Sequence, residues 1–218
     1  MKIKKIVFTS LAFISSISSC EFKANSAANQ NKEQKMEEKA ELPFPLTVSF
    51  SEDYLKANFY ICNYTEAGDR FAYWVNLPNF IKPTVLKPTA VEKLKVINAG
   101  FYESIDKEPR IEVWAAYETL KEPIETAEWL LSKIKMTDAK VLKQNIINSP
   151  NGDKNIDVLT AQDVGDGETV IARWIALKRD NDYLVVKATC EKDDYMKHAD
   201  TIFYIVSHWN FANQKLQP

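Results

Sequence analysis

The chain has 218 residues, with 28 Lys and Arg against 30 Asp and Glu and a formal net charge of −2. A mildly acidic chain without a basic stripe lacks the electrostatic footprint of a nucleic-acid-binding protein, so no nucleic-acid partner is expected. Only five glycines are present. Glycine-rich loops that cradle phosphates are therefore not expected, and no P-loop or GxGxxG motif occurs.

The amino terminus is organised like a secretory signal peptide. Lys2, Lys4 and Lys5 form a basic head, an apolar run with interspersed serines follows, and small residues precede Cys20. The apolar run is roughly a dozen residues long, whereas a membrane-spanning helix needs about 20. A permanent transmembrane anchor is therefore not expected.

The end of this leader, Ile17-Ser18-Ser19-Cys20, resembles a bacterial lipobox. In a lipobox the small residues enter a peptidase cleft, and the thiol accepts a diacylglyceryl group before cleavage makes the cysteine the first residue. We expect a lipoprotein signal peptide over residues 1–19 and an acylated Cys20 that binds a lipid bilayer, since each buried methylene contributes about 0.8 kcal/mol. An ordinary signal peptide with a chance cysteine is the alternative. The expected location is the bacterial cell envelope, lipid-anchored and facing the periplasm.

After the leader, the sequence predicts a tether, a domain and a short tail. Residues 20–41 include too few apolar side chains to offset the entropy of ordering them. As a coil of about 20 residues they would reach about 25 Å. Residues 42–212 are expected to form a single domain, and residues 213–218 a tail. Without the three leader lysines, 25 basic residues stand against 30 acidic ones, so the mature chain has a net charge of −5.

The first half of the domain predicts short strands joined by turns. Residues 47–50 are a strand candidate, and the runs NFYICNY and RFAYWVNL, which flank a Gly-Asp turn, predict a hairpin. The three prolines of LPNFIKPTVLKP favour an extended loop. Between Thr89 and Gly100, capping-box spacing predicts a short helix, whereas the alternation of Leu94, Val96 and Asn98 predicts a strand. Both remain open from sequence.

The second half predicts an α+β domain. A strand over residues 111–117 precedes Pro123, a helix-starting residue, and Ile124, Ala127, Leu131 and Ile134 form the predicted apolar face of the following helix. Short polar links between the later strands predict an antiparallel meander. The remaining predicted elements are strands over 141–147, 156–163, 169–178 and 183–190 and a helix over 194–210. The expected fold class is α+β, a mostly antiparallel sheet flanked by helices in α/β/α layers.

The order of these elements resembles the PsbP-like fold. The likeness covers residues 111–211: a strand, the helix PIETAEWL, an antiparallel meander, and a last helix that ends VSHWNF. That fold is shared by an extrinsic photosystem protein, a Ran-binding import factor and chaperone-like proteins of type VI secretion. The resemblance implies an α/β/α sandwich of PsbP-like type and a binding or assembly role, because known members are mostly not enzymes.

Two cysteines follow the leader, Cys62 and Cys190. Export to an oxidising compartment permits a disulfide between them, and closing so long a loop would contribute up to about 4 kcal/mol. Both lie in apolar, strand-like contexts, where buried free thiols are also ordinary. A Cys62–Cys190 disulfide and two free thiols therefore both remain open.

No motif with catalytic or metal-binding chemistry is present. The two histidines, His198 and His208, lie ten residues apart on the predicted last helix, a rise of about 15 Å, so one metal ion cannot bind both. Neither HExxH nor GxSxG occurs. We therefore expect no metal, no cofactor and no enzymatic activity. A hydrolase without a recognisable motif is the alternative, in which scattered carboxylates such as Glu112 and Asp157 would come together.

The five tryptophans are the remaining functional signal. Trp74, Trp114 and Trp174 lie in predicted strands among apolar neighbours, so core packing is expected for them. Trp129 falls off the predicted helix face and is expected to be partly exposed. Together with Phe80 in the proline-rich segment, it forms the candidate contact surface.

The leading hypothesis is a membrane-anchored envelope lipoprotein that acts as a non-catalytic binding or assembly factor with an envelope protein partner. The alternative binding hypothesis is a small-ligand or glycan binder. That alternative predicts a pocket with exposed aromatic side chains.

Overall fold

The computed structural model describes residues 41–65, 72–84, 89–105, 109–148 and 154–212. The predicted leader, the acylation site Cys20, nearly all of the tether and the tail lie outside the described residues. The Gly-Asp turn of the first hairpin and the end of the proline-rich segment, residues 85–88, also lie outside them. The described residues belong to the compact unit Ala40–Pro218.

The described residues form three helices and eleven strands. In chain order they are α1 (Glu52–Asn58), β1 (Phe59–Thr65), β2 (Ala72–Pro78), β3 (Ile81–Pro83), β4 (Thr89–Val91), β5 (Val96–Ser104), β6 (Ile111–Thr119), α2 (Thr126–Lys135), β7 (Lys140–Asn148), β8 (Lys154–Gly165), β9 (Glu168–Arg179), β10 (Asp182–Glu191), α3 (Lys192–Ser207) and β11 (Trp209–Phe211).

Two antiparallel sheets organise these elements. The large sheet has the strand order β3-β5-β6-β10-β9-β8-β7, with β4 paired to β5, and the small sheet has the order β1-β2-β11. Every pairing is antiparallel. The expected α+β class, with a mostly antiparallel sheet flanked by helices, is therefore confirmed.

The apolar core is divided by the large sheet into two clusters. On one face, the large sheet packs against α3 and the small sheet. On the other face, it packs against α2 through Trp129, Leu130 and Ile134. Because successive side chains of a strand point to opposite faces, neighbouring residues such as Arg173 and Trp174 of β9 belong to different layers. This division separates the two concave surfaces described below.

The hairpin β1–β2 has the predicted strands, but the segment before it differs from the prediction. Residues 47–50 are irregular rather than a strand, and they lead into α1. The hydroxyl of Ser51 accepts a hydrogen bond from the Tyr54 backbone amide at 3.2 Å, and Glu52 and Asp53 occupy the first turn. A seven-residue helix with no buried residue leaves no apolar periodicity for sequence analysis to find.

The proline-rich segment is only partly a loop. Pro78 ends β2 and Pro83 ends β3, where a missing backbone donor is tolerated, and β3 pairs with β5. Downstream, residues 89–100 form the β4–β5 hairpin, so the strand alternative is right and the short helix is wrong. Lys95 closes the turn with a φ of 55°.

The end of the chain also departs from the predicted helix. α3 ends at Ser207, and Trp209–Phe211 pairs with β2. Trp209 and Phe211 are buried, whereas Asn210 between them is exposed. That alternation has the period of a strand, and it fastens the last helix to the small sheet.

Candidate ligand-binding site

An aromatic row crosses the large sheet on the α2 side. Phe101 of β5 pairs with Trp114 of β6, Trp114 pairs with Lys187 of β10, and Lys187 pairs with Trp174 of β9. Directly opposite residues on antiparallel strands project from the same face. The register therefore places one lysine between two indole rings.

The Lys187 amine contacts both of these rings. Its Nζ lies 5.2 Å from the Trp114 ring centroid and 4.9 Å from that of Trp174. The two rings meet edge to face, with centroids 6.2 Å apart and planes at 82°. Trp174 is buried at 3% exposure, and Trp114 is partly exposed. Both geometries are those of favourable cation–π and aromatic contacts.

The row forms the floor of a cavity of about 280 Å³. One wall includes Val91 and Leu94 from the β4–β5 hairpin, and the other includes Thr137 and Ala139 from the link between α2 and β7. These two walls are bridged by an exposed ion pair, in which Lys93 Nζ lies 3.5 Å from Asp138 Oδ2. The volume lies just below the range of small-molecule sites, about 300–1,000 Å³, so a small ligand is expected.

The neighbouring row on the same face supplies polar groups. Glu112, Thr189 and Thr160 line the cavity two residues along their strands from the aromatic row. The hydroxyl of Thr160 accepts the Trp174 indole N–H at 3.0 Å and donates to the Ala172 carbonyl at 3.4 Å. Glu112 pairs with Arg110 at 3.5 Å. Thr160 and Glu112 therefore have partners within the protein.

Two polar groups in the cavity have no such partner. Among the described residues, the Lys187 amine makes no hydrogen bond or ion pair, and the buried hydroxyl oxygen of Thr189 makes no hydrogen bond. Burial lowers the pKa of Lys187, and the negative charge of Glu112 opposes that shift. The amine lines an open cavity beside the buried Thr189 hydroxyl, so a ligand in the cavity would be within reach of both groups.

A second concave surface lies on the opposite face of the large sheet, and its described lining residues include no buried polar atom without a hydrogen-bond partner. It has a volume of about 430 Å³ and lies between α3 and strands β7–β9. Its carboxylate, Asp157, is bound by Arg173, with Nε donating to Oδ1 at 2.9 Å. The Asn155 amide donates to the Ala176 carbonyl. The buried Nη1 of Arg173 makes no hydrogen bond, but Arg173 does not line this surface. Lys187 and Thr189 do line the first cavity, so we take the Trp114–Lys187–Trp174 cavity as the candidate site.

The expectation that Trp129 is exposed is wrong. Trp129 is 1% exposed, its ring stacks on Tyr183 with centroids 5.1 Å apart, and its indole N–H donates to Glu118 at 2.6 Å. Lys133 also turns inward and pairs with Glu118 at 2.5 Å. Because a sequence pattern assigns lysine to the solvent side, the prediction left Lys133 out of the buried face of α2. The buried face therefore differs from the predicted one and includes Trp129 and Lys133.

Phe80 is half-buried in the turn between β2 and β3 and packs against the core on the α3 side. It lies on the small-sheet side of the molecule, whereas Trp129 packs between α2 and the opposite face of the large sheet. The structure therefore does not bring these two residues together as a contact surface.

The proposed disulfide is absent. Cys62, half-buried on β1 of the small sheet, and Cys190, buried on β10 of the large sheet, are both free thiols. Burial raises the pKa of Cys62 and raises the pKa of Cys190 to about 12. The alternative of two free thiols is the one that the structure contains.

The carboxylates named for a hydrolase lie on opposite faces of the large sheet. Glu112 lines the cavity on the α2 side, whereas Asp157 is buried against Arg173 on the α3 side. They cannot act on one substrate. Within the described ranges, no three His, Cys, Asp or Glu residues lie together as a metal site.

The described part of the chain also has no helix that is both long enough and apolar enough to cross a membrane.

Sequence reasoning missed Lys187 as a site residue. The run LVVKATC places one lysine in an apolar strand, where period-two alternation puts it on the face of Val185 and Thr189. That isolated charge in an apolar strand was the sequence feature that could have indicated a site residue. The indole rings on either side come from strands 73 and 13 residues away in the chain, and only the strand register brings them together.

No protein-family model matches the sequence, and no curated protein matches it.

Solved structures do match. The cyanobacterial PsbP (CyanoP) from Synechocystis sp. PCC 6803 is 11% identical, with 70% of this chain and 92% of that chain covered and a TM-score of 0.46. LpqN, which is involved in cell envelope biogenesis of Mycobacterium tuberculosis, is 15% identical, with 74% and 96% covered and a TM-score of 0.47. PA94 from Pseudomonas aeruginosa, a protein of unknown function and putative regulator, is 12% identical, with 73% and 97% covered and a TM-score of 0.39. A PsbP, a protein of the kind whose fold the sequence resembles, is thus among the matching structures.

Proposed function

We propose that this chain is a lipid-anchored protein of the bacterial cell envelope whose domain binds a small ligand without catalysis. In this account the domain is the small-ligand binder, and the acylated Cys20 holds it on the bilayer, facing the periplasm. The observation that carries it is the Lys187 amine, which lies between Trp114 and Trp174 at the floor of an open cavity and makes no hydrogen bond or ion pair among the described residues.

Ordinary side-chain packing is a weaker explanation for the position of Lys187. A lysine at a sheet surface ordinarily extends its stem over apolar neighbours and leaves its amine in water. Here the amine is held between two indole rings, beside a buried Thr189 hydroxyl that lacks a hydrogen-bond partner, and both groups face the cavity. A site of this composition, with apolar walls and a few converging polar groups, has the usual make-up of a small-molecule pocket.

The first described residues of the domain lie on the side of the large sheet away from the cavity. Arg173, on the α3 side of the large sheet, donates to the Pro45 carbonyl at 2.5 Å, and Tyr195 of α3 donates to the Pro43 carbonyl at 3.0 Å. The N-terminal segment, residues 41–45, is therefore held on the face opposite to the cavity. Residues 41–45 do not line the cavity, which leaves its mouth clear for an envelope protein partner that would deliver or receive the ligand.

Anchoring is tested by fatty-acid labelling and membrane fractionation in a bacterial host. We expect label and membrane association for the unmodified chain, loss of both for Cys20→Ala, and retention of both for the matched control Cys62→Ala. Label on the Cys20→Ala variant would contradict the lipoprotein assignment.

Ligand binding is tested by native mass spectrometry of the chain purified from that host without denaturation. We expect a small molecule to remain bound to the unmodified chain and to be lost from Trp114→Ala. The control variant Lys56→Ala, at an exposed lysine that pairs with Glu52, should retain the ligand. A ligand retained in full by Trp114→Ala would contradict the proposed site.

A further inference from the structure

We propose that the ligand of the Trp114–Lys187–Trp174 cavity is a monocarboxylate with an apolar body, whose carboxylate binds the Lys187 amine. This inference rests on the proposed binding function and adds the chemical class of the ligand. The structure points to the charge of the ligand through the balance of charges that face the cavity.

Lys187 is the one cation among the described residues that line the cavity, and its amine forms no ion pair with them. From β6, Glu112 lines the cavity and its charge favours the protonated amine, but its ion pair is with Arg110, at 3.5 Å. At the rim, Lys93 from the β4–β5 hairpin is paired with Asp138 from the link after α2. From β9 and β10, the residues that line the cavity beside Lys187 are uncharged: Val170, Ala172, Trp174 and Thr189. A cationic ligand would meet a like charge at the floor, and an uncharged hydrocarbon would leave the amine unpartnered.

The hydrogen-bonding capacities also match a carboxylate. The lysine amine offers up to three donors, the Thr189 hydroxyl offers one, and a carboxylate accepts about four hydrogen bonds through two oxygens. Lys187 and Thr189 lie two residues apart on β10 and line the same cavity. Their α-carbons are therefore about 6.6 Å apart along the strand. One carboxylate between the two side chains would satisfy both groups that lack partners.

The remaining surface favours an apolar body and a single charge. The two indole rings, Phe101, Val91 and Leu94 supply flat and aliphatic walls. A phosphate dianion would bring a second negative charge, and the cavity has no second unpaired cation among the described residues to meet it. Aromatic acids and short fatty acids share the required chemistry, and the test below distinguishes these two sources.

A carboxylate at this position couples binding to protonation of Lys187. Burial lowers the pKa of the free amine, and a bound anion favours its protonated form. We therefore expect the affinity to be highest below the pKa of the free amine and to fall as the pH rises above it. Proton uptake should accompany binding in that higher range.

The test compares each acid with its uncharged amide by isothermal titration calorimetry. The protein is the full chain with Cys20→Ser, which removes the acyl acceptor, and the probes are octanoate with octanamide and indole-3-acetate with indole-3-acetamide. We expect at least one acid to bind tenfold or more tightly than its amide. Selectivity in the octanoate pair indicates a fatty-acid source, and selectivity in the indole pair indicates an aromatic source.

Matched variants assign that preference to one amine. Lys187→Met keeps the length of the side chain and removes the charge, so we expect it to fold and to bind acid and amide equally. Lys93→Met makes the same chemical change at the rim and should retain the preference for the acid. An acid preference that persists in folded Lys187→Met would overturn the inference. If that variant does not fold, the difference in affinity between acid and amide in the chain that retains Lys187 tests the inference by itself.

The other outcomes separate this inference from the proposed function. Amides that bind as tightly as their acids overturn the carboxylate assignment and leave a small-molecule site in place. Absence of binding by all four probes, combined with no ligand in native mass spectrometry, overturns the carboxylate assignment and the proposed function together.

Discussion

Arg173 and Asp157 form a two-point ion pair that is almost completely removed from solvent. Their side chains are 0% and 1% exposed, and Nε and Nη2 of the arginine donate to the two carboxylate oxygens at 2.9 and 2.5 Å. Nη2 also donates to the Pro45 carbonyl. The guanidinium lies 4.4 Å from the Phe44 ring and 4.2 Å from the Phe203 ring. One buried cation thus joins the large sheet, α3 and the N-terminal segment.

Removal of one partner of this pair should be strongly destabilising. We expect Arg173→Met to lower the free energy of unfolding by about 3–5 kcal/mol, because Asp157 then stays buried without a counter-charge. The double variant Arg173→Met/Asp157→Leu should recover much of that loss. Urea denaturation measures the free energy of unfolding of both variants and of the parent chain, each as the full chain with Cys20→Ser.

A second arginine of β9 provides the control. Arg179 lies 4.4 Å from the Phe211 ring and has no carboxylate partner among the described residues. Arg179→Met should therefore cost no more than about 1 kcal/mol. Equal losses at the two positions would show that the Arg173–Asp157 pair has no special energetic role.

The N-terminal segment should be held partly by Tyr195. Its hydroxyl donates to the Pro43 carbonyl at 3.0 Å, and its side chain is 0% exposed. We expect Tyr195→Phe to lower the free energy of unfolding by about 0.5–1.5 kcal/mol and to speed proteolysis within residues 41–50. Tyr54→Phe, at a side chain that is 44% exposed, should leave both measurements unchanged. Unchanged proteolysis in Tyr195→Phe would mean that this bond does not hold the segment.

The buried Lys133 should depend on Glu118. The side chains are 7% and 18% exposed and lie 2.5 Å apart, and Glu118 also accepts the Trp129 indole N–H. Glu118→Leu leaves the lysine without its counter-charge and the indole without its acceptor, so we expect a loss of about 3–5 kcal/mol in denaturant unfolding. The exposed Glu122→Leu should change stability by less than about 0.5 kcal/mol. Similar stabilities of the two variants would contradict a structural role for the pair.

The two cysteines of the domain should remain reduced and react slowly. Because burial raises the pKa of Cys190 to about 12 and also raises that of Cys62, the reactive thiolate fraction at pH 8 is lowered for both. In the Cys20→Ser chain, a thiol reagent should modify half-buried Cys62 before buried Cys190. The reaction of each should speed up as the pH rises. Denaturation without reductant should expose two reactive thiols at once, and a mass lower by two hydrogens would instead indicate the disulfide.

Local patterns in the sequence predict the meander and its neighbours well. Strands β6 to β10 alternate or run apolar between short polar turns, and these signals do not depend on distant residues. Two failures have a common cause. The face of α2 includes the buried Lys133–Glu118 pair, and β11 is set by pairing with β2. Tertiary partners decided each of these elements.

The candidate site was beyond sequence analysis for the same reason. Trp114 and Trp174 could be expected to pack, and Lys187 could be noticed as a charge in an apolar strand. Their meeting depends on β10 lying between β6 and β9. The cavity above them exists because α2 covers only part of this sheet face, a feature of packing with no local sequence signal.

The indole N–H resonances of the five tryptophans test the central claim most directly. In a ¹⁵N-labelled full chain with Cys20→Ser, each resonance can be assigned by a single Trp→Phe variant and followed during titration with octanoate and with indole-3-acetate. Trp129 and Trp209, whose N–H groups donate to Glu118 and to the Val206 carbonyl, are internal controls. We predict saturable shifts of the Trp114 and Trp174 resonances by at least one acid, with the other three unmoved. Saturable shifts confined to Trp74, Trp129 or Trp209, or no shift with either acid, would contradict a carboxylate site in this cavity.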